Sequence, residues 1–160
     1  ESAADVIELL GLDTESRIEV SNLIDTDLMV DADPDQLFRV LANLCRNAVH
    51  AMKGEPDRRK PCRLTLTGGR MGNTALIGVE DTGPGLSPQA REHLFSAFRG
   101  STHAGGTGLG LAIAQEIVRA HGGTIELRGE RDTGAHFEIR IPDQPVSISE
   151  WKQRKGAAAS

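Results

Sequence analysis

Gly105-Gly106-Thr107-Gly108-Leu109-Gly110-Leu111 puts four glycines into six residues, and Leu109, Ile113, Ile117 and Ala120 then recur at helical spacing. Glycine backbone takes left-handed conformations and lets a ligand approach closely. The first turn of a helix has unpaired N–H groups and a partial positive charge of roughly half an elementary charge. A glycine-rich loop feeding that turn suits an anion, phosphate above all. The same residues would also serve as a flexible linker before a core helix. Two common phosphate motifs are excluded. A P-loop needs Lys and then Ser or Thr after its last glycine, and Gly110 is followed by Leu111 and Ala112. The dinucleotide fingerprint needs a glycine where this chain has Leu111 or Ile113, depending on where the reading starts.

Two further groups could do chemistry. Asn43 and Asn47 lie one helical turn apart, with Arg39, Arg46 and His50 on the same side of their helix. Asparagine is a middling helix former, and its side-chain carbonyl is a neutral oxygen ligand that Mg²⁺ accepts beside phosphate and water. A solvated face is the other reading of this side. Asp81-Thr82-Gly83-Pro84-Gly85-Leu86 places a carboxylate at a strand end, with glycines behind it that leave room for a flat ligand. Such residues also make tight turns. A fixed carboxylate can accept from an exocyclic amine, and a charged hydrogen bond of about 1.5–3 kcal/mol prefers adenine over guanine by tens-fold.

The elements that must position these groups follow from periodicity. Arg17–Ile24 and Leu28–Asp31 read as strands. Asp33-Pro34 is a cap and first helical residue, and the helix to about Met52 has Leu37, Leu41, Leu44, Ala48 and Met52 as its buried stripe. After a polar loop at 53–61, Arg63–Thr67 and Thr74–Glu80 read as a hairpin around a turn at Gly68–Asn73. Ser87-Pro88 opens a short helix to about Phe95. Residues 99–106 are small and polar, suggest a mobile lid, and carry Arg99 and His103 as the groups able to meet phosphate charge. His121-Gly122-Gly123 stops the glycine-led helix, and Thr124–Arg128 and His136–Ile141 form strands around a turn at Asp132–Gly134. The pattern dissolves from Pro142 onward, with a short helix at Val146–Lys155 the only further element expected.

A chain of 160 residues is of one-domain size, and 38% hydrophobic with 26% charged residues is globular composition. A net charge of −5 gives no reason to expect a nucleic-acid partner or direct contact with an anionic membrane. No apolar run is long enough to span a bilayer. Cys45 and Cys62 lack metal-site spacing, so a reduced, cytoplasmic setting is the default. A start on Glu1 close to the first strand suggests a piece of a longer chain. Residues 1–16 then read as a linker or a helix end carried over from an upstream domain, 17–142 as the globular domain and 143–160 as a tail.

The order of these signals resembles the ATP-binding domain of histidine kinases, whose superfamily includes gyrase B, the ninety-kilodalton heat-shock chaperone and the mismatch-repair ATPase. Asn43-Leu44-Cys45-Arg46-Asn47-Ala48 matches the N box, Asp81-Thr82-Gly83-Pro84-Gly85 the G1 box and Gly106-Thr107-Gly108-Leu109-Gly110-Leu111 the G2 box. Leu94-Phe95-Ser96-Ala97-Phe98 is similar to the F box, and Gly134-Ala135-His136-Phe137 to the last box, with Ala135 where Ser or Thr is common. The resemblance implies the GHKL ATP-binding fold, an α/β two-layer sandwich of a mixed, mostly antiparallel sheet on three helices near 34–52, 88–95 and 109–121. It implies ATP and Mg²⁺ as cofactors. Asn47 is then the Mg²⁺ ligand, and Asn43, His50 and Arg99 lie on the phosphate side. Asp81 takes the adenine amine beside Gly83, Gly85 and Leu86, and Gly106, Thr107, Gly108, Leu109, Gly110 and Leu111 cradle the phosphates. The family often has Lys at the position of His50. Lysine is fully charged at neutral pH and histidine is not, so attraction for phosphate is weaker here.

Members that hydrolyse ATP or phosphorylate serine carry a general-base Glu where this chain has Asn43. An amide cannot take the proton of water or a hydroxyl, whereas a neutral imidazole is already a nucleophile. The resemblance therefore favours transfer to histidine, over an anti-sigma-factor-type serine kinase or a scaffold without activity. It implies a histidine-bearing dimerisation domain, normally ahead of Glu1 in a parent that is cytoplasmic or membrane-anchored, and a response-regulator receiver domain as partners. None of His50, His93, His103, His121 and His136 has the context of a phosphoacceptor. The isolated chain should bind Mg-ATP without labelling itself. Stoichiometric incorporation of γ-phosphate by the chain alone, measured with radiolabelled ATP, would remove the need for a separate acceptor domain.

Overall fold

A computed structural model describes residues 2–11, 18–54, 57, 59–83, 109–128 and 134–144. In chain order these form α1 (Ser2–Leu9), β1 (Ile18–Ile24), α2 (Pro34–Lys53), β2 (Cys62–Met71), β3 (Thr74–Asp81), α3 (Leu109–Ala120), β4 (Thr124–Leu127) and β5 (Ala135–Pro142). The helix expected near 88–95, the lid at 99–106 and the helix at 146–155 lie outside the described residues.

The strands make one sheet in the order β1-β2-β3-β5-β4. Only β1 and β2 run parallel, which requires a long crossover, and α2 supplies it. The other neighbours are antiparallel. Register sets one inner face: Leu64 opposes Asp81, Leu66 opposes Val79, and Phe137, Ile139 and Ile141 oppose Val79, Ile77 and Ala75. These residues are buried under the helices. The opposite face is polar, and on it Arg128 and Arg140 both bond Glu138, at 3.0 and 2.7 Å.

Helix α2 begins as the sequence directs. The Asp33 carboxylate accepts from the N–H groups of Asp35 and Gln36, at 2.9 and 3.3 Å, and Pro34 fills the first turn, where no donor is needed. Its stripe, with Val40 and Cys45 added, is in the core, each large side chain contributing about 1.5–3 kcal/mol of burial. Leu37 packs at the rim, half-buried. Helix α1 falls within the stretch expected as a linker or the end of an upstream domain. Its Ala3 and Val6 join the same core against α2 and β1.

Two local expectations give way. Leu28–Asp31 is not a strand: the Leu28 N–H bonds the Asp25 carbonyl, the Ala32 N–H bonds the Val30 carbonyl, and Arg70 donates to the Met29 carbonyl at 2.7 Å. Local partners and one arginine take the groups a ladder would have used. The hairpin turn is shorter than Gly68–Asn73, because Gly68 to Met71 pair with Ile77 to Thr74 and only Gly72 and Asn73 remain outside the strands. Gly72, at φ +63°, supplies the left-handed step of this two-residue loop. Gly68 serves packing instead, since an added Cβ would lie 2.9 Å from Leu28 Cδ2 and 3.0 Å from Ile24 Cγ2.

Helix α3 ends in a Schellman arrangement. Gly122, at φ +73°, donates to the Arg119 carbonyl, and the Gly123 N–H reaches back to Val118. Gly123 also lies against β5 so closely that a Cβ would collide with the Arg140 carbonyl oxygen. Both sides of this contact are backbone. Gly123→Ala should therefore cost about 2 kcal/mol or more in urea unfolding. Gly69→Ala, where an added Cβ meets nothing within 4 Å, should be close to neutral. Equal stabilities of the two variants would contradict the close approach.

Candidate functional site

Asp81 is the last residue of β3, and strand alternation points it to the inner face beside Val79 and Ile77. It is 6% exposed and the one buried charged side chain among the described residues. Burial pushes its carboxyl from the ordinary 3.8 up to about 6, against the lowering effect of the Gly83 and Ala135 backbone N–H groups, while nearby Glu80 pushes it up further. The Gly83 N–H donates to Oδ1 at 2.9 Å.

The turn beyond Asp81 is held on three sides. The Thr82 hydroxyl accepts from the Arg63 N–H and donates to the Pro61 carbonyl, both at 2.8 Å, which ties the turn to the start of β2. A Cβ on Gly83 would sit 3.4 Å from the Ala51 carbonyl carbon and the Met52 nitrogen, so the turn rests on the last turn of α2. The Gly134 N–H donates to the Gly83 carbonyl. Gly134 itself, at φ +85°, lies where a Cβ would strike the Asp81 carbonyl oxygen. Sequence reasoning did not assign Thr82 or Gly134 a place at the site. Thr82 is the middle residue of the D-T-G run, and Gly134 opens the last box, but their partners are far away in sequence.

On α2, Asn43, Asn47 and His50 are half-buried and Arg39 and Arg46 exposed. A Cβ on Gly110 would lie 3.9 Å from Asn43 Cβ, Cγ and Oδ1, so the first turn of α3 faces Asn43. The Nδ2 of Asn43 is buried and has no hydrogen-bond partner among the described residues. A buried donor without an acceptor costs about 1–3 kcal/mol, and an acceptor placed between α2 and α3 would relieve that cost. Asn47 and His50 continue along α2 from this point towards Ala51 and Met52, where Gly83 and Asp81 wait. The structure thus brings Asp81, Gly83, Asn43 and Gly110 to one helix, in sequence along it. Leu111 is half-buried in the first turn of α3, and Leu109 contributes backbone there. Gly85, Leu86, Arg99, Gly106, Thr107 and Gly108 lie outside the described residues.

Among the described residues, no three His, Cys, Asp or Glu side chains gather to hold a metal ion. The donor set on this side of α2 is a neutral amide pair beside an anion-seeking helix start. That set fits a hard cation brought in with phosphate and water rather than a protein cage. No helix of the described residues is long and apolar enough to cross a membrane.

Residues 32–145 match the family described as histidine kinase-, DNA gyrase B- and HSP90-like ATPase. The chain belongs to this family. Among its relatives, the sensor histidine kinase ZraS of Salmonella typhimurium is 37% identical over 113 residues, 71% of this chain and 23% of ZraS. The chain therefore spans about a quarter of that relative's length. The nucleotide-free catalytic domain of the histidine kinase ThkA superposes with a TM-score of 0.74 at 29% identity, covering 89% of this chain and 90% of that one. Full-length ShkA in complex with AMPPNP gives 0.72 at 31% identity, over 88% of this chain and 29% of that chain. ThkA has also been solved in complex with the response regulator protein TrrA, at a TM-score of 0.70 and 25% identity, over 90% of this chain and 40% of that one. The two-layer architecture of the chain is that of these kinase catalytic domains.

In a family member with this geometry, the buried Asp81 opposes stability. Its raised pKa means that the folded state holds a proton the unfolded chain has released, so stability falls as pH rises from about 4 through about 6. Asp81→Asn should flatten this slope and raise stability at pH 7.5 by on the order of 2 kcal/mol, measured by urea unfolding at several pH values. It should also weaken the binding of adenosine. A variant keeping both the wild-type slope and the wild-type adenosine affinity would remove Asp81 from the site.

Proposed function

We propose that the chain is the ATP-binding catalytic domain of a sensor histidine kinase, and that it passes the γ-phosphoryl group of Mg-ATP to a histidine on a separate dimerisation domain. The observation that carries this reading is Asn43: a buried amide donor without a partner among the described residues, facing the first turn of α3, at the helix position where hydrolases and serine kinases of the superfamily need a carboxylate base.

In this reading the Asp81 carboxylate accepts from the adenine amine, and Gly83 leaves the base room beside backbone. The N–H groups of the α3 first turn and Asn43 Nδ2 donate to phosphate oxygens. His50 lies farther along the same face and adds attraction when charged. Asn47 would hold Mg²⁺ through its side-chain oxygen, and the metal would neutralise charge developing on the transferring group. The acceptor imidazole forms a bond to γ-phosphorus as the bond to the bridging oxygen breaks, leaving ADP, and the ring's proton goes to solvent. Nothing on this chain needs to remove a proton before attack, so an amide at position 43 is sufficient.

The phosphohistidine then serves a response-regulator receiver domain, a partner supported by the ThkA–TrrA complex. ATP as the substrate is supported by the AMPPNP complex of ShkA. The reading places the domain in the cytoplasm, where ATP is, whether or not the parent chain is anchored. A serine-kinase reading lacks the base it would need.

Asn47→Ala should abolish the Mg²⁺ dependence of nucleotide binding while leaving metal-free affinity within a few-fold, by calorimetry with ATP in Mg²⁺ and in EDTA. Micromolar binding corresponds to about −8 kcal/mol, so the loss of one metal contact is measurable without losing the complex. Undiminished strengthening by Mg²⁺ in the variant would place the metal elsewhere.

A further inference from the structure

At the end of the molecule away from the phosphate side, one imidazole joins the two helices that make the proposed site. His121 follows the last residue of α3. Its Nδ1 lies 2.7 Å from the Ile117 carbonyl oxygen, one turn back, and its Nε2 accepts from the Asp33 backbone N–H at 3.2 Å. Nε2 can accept only without a proton, so the ring's proton sits on Nδ1 and is donated to Ile117. Asp33 is the residue that caps α2. The His121 carbonyl also accepts from Gln144 Nε2 at 2.6 Å, and the Gln144 N–H donates to Asp31 Oδ2 at 2.7 Å. One side chain therefore fastens the end of α3 to the start of α2, and Gln144, beyond β5, closes over the junction.

The other point of register between these helices is Asn43 against Gly110. At 1.5 Å per residue, Asp33 to Asn43 spans about 15 Å of α2, and Gly110 to His121 about 16 Å of α3. The helices run antiparallel with matched spans, so a polar contact at the far end fixes how far α3 slides along α2. We propose that His121 is a positioning residue for phosphate: by clasping Asp33 it sets the axial register that aims the α3 first turn and Asn43 at the same anion. Asp81 and Gly83 are held by β2, β5 and Gly134 and do not depend on the clasp. The inference rests on the reading of the α2–α3 groove as the triphosphate site.

The test separates the two halves of the nucleotide. Adenosine and Mg-ATP are titrated into the chain, and the ratio of their affinities reports what the phosphates add. In His121→Leu, which keeps bulk and removes both ring hydrogen bonds, adenosine affinity should stay within about twofold. Mg-ATP affinity should fall by about tenfold, as expected for phosphate-binding groups displaced by a fraction of an ångström. His121→Gln, whose amide offers one donor and one acceptor, should recover most of the loss. Gln144→Ala, on an exposed side chain, should lower the same ratio by about threefold, and it keeps the question answerable if His121→Leu does not fold. A parallel fall of adenosine and ATP affinity in the variants would overturn the proposal in favour of plain structural support, as would an unchanged ratio in Gln144→Ala. A wild-type chain that gains nothing from phosphates overturns the nucleotide reading itself, and that outcome shows before any variant is made.

Discussion

The contact between the apolar stripe of α2 and the inner face of the sheet fixes the direction of every polar group on that helix. Leu41, Leu44, Ala48 and Met52 are pressed onto strands whose inner residues are Leu64, Leu66, Ile77 and Val79. With that face committed, Asn43 and Asn47 must point aside, towards the space that α3 borders. A helix with one buried face and one solvated face is ordinary. Here a second helix covers part of the polar face, and it buries an asparagine donor that has no partner among the described residues. Packing energy from the apolar stripe offsets that cost, and in the proposed reading the amide is answered by an acceptor-rich ligand.

Asp81 follows the same logic on the strand side. An apolar residue at its place would continue the run of Ile77 and Val79 and stabilise the sheet. The carboxylate is instead carried into the core at a cost that rises with pH, and two backbone N–H groups only partly compensate it. Glycines do the remaining work around it. Gly134 lets one turn close where any Cβ would collide with the Asp81 carbonyl oxygen, and Gly83 lets the other lie tightly against the carboxylate and the end of α2. The Asp81 end is tied to strands by Thr82 and Gly134. The Asn43 end lies where two helices meet.

Much of this was legible along the chain. The Asp33-Pro34 start, the stripe of α2 and the glycine stop at 122–123 follow from short-range rules and appear where those rules put them, and the hairpin forms with a shorter turn than expected. Gly68 was misleading, because a glycine that makes room for Leu28 and one that turns the chain look alike in sequence. Leu28–Asp31 had the composition of a strand, but Arg70 and local carbonyls took up its backbone groups. Thr82 and Gly134 passed as turn residues, since their contacts with Arg63 and Asp81 join distant segments.

The sequence alone determined the chemistry available: two amides one turn apart, one carboxylate at a strand end, and glycines before a helix. It also determined the elements that carry them, because hydrophobic periodicity and capping act within a few residues. Tertiary structure alone decided which of these groups meet. Asn43 against Gly110, Gly83 against Ala51, and His121 against Asp33, 88 positions away, are set by the packing of elements onto a common sheet. Periodicity says that a face is buried, and it carries no information about which other face will cover it.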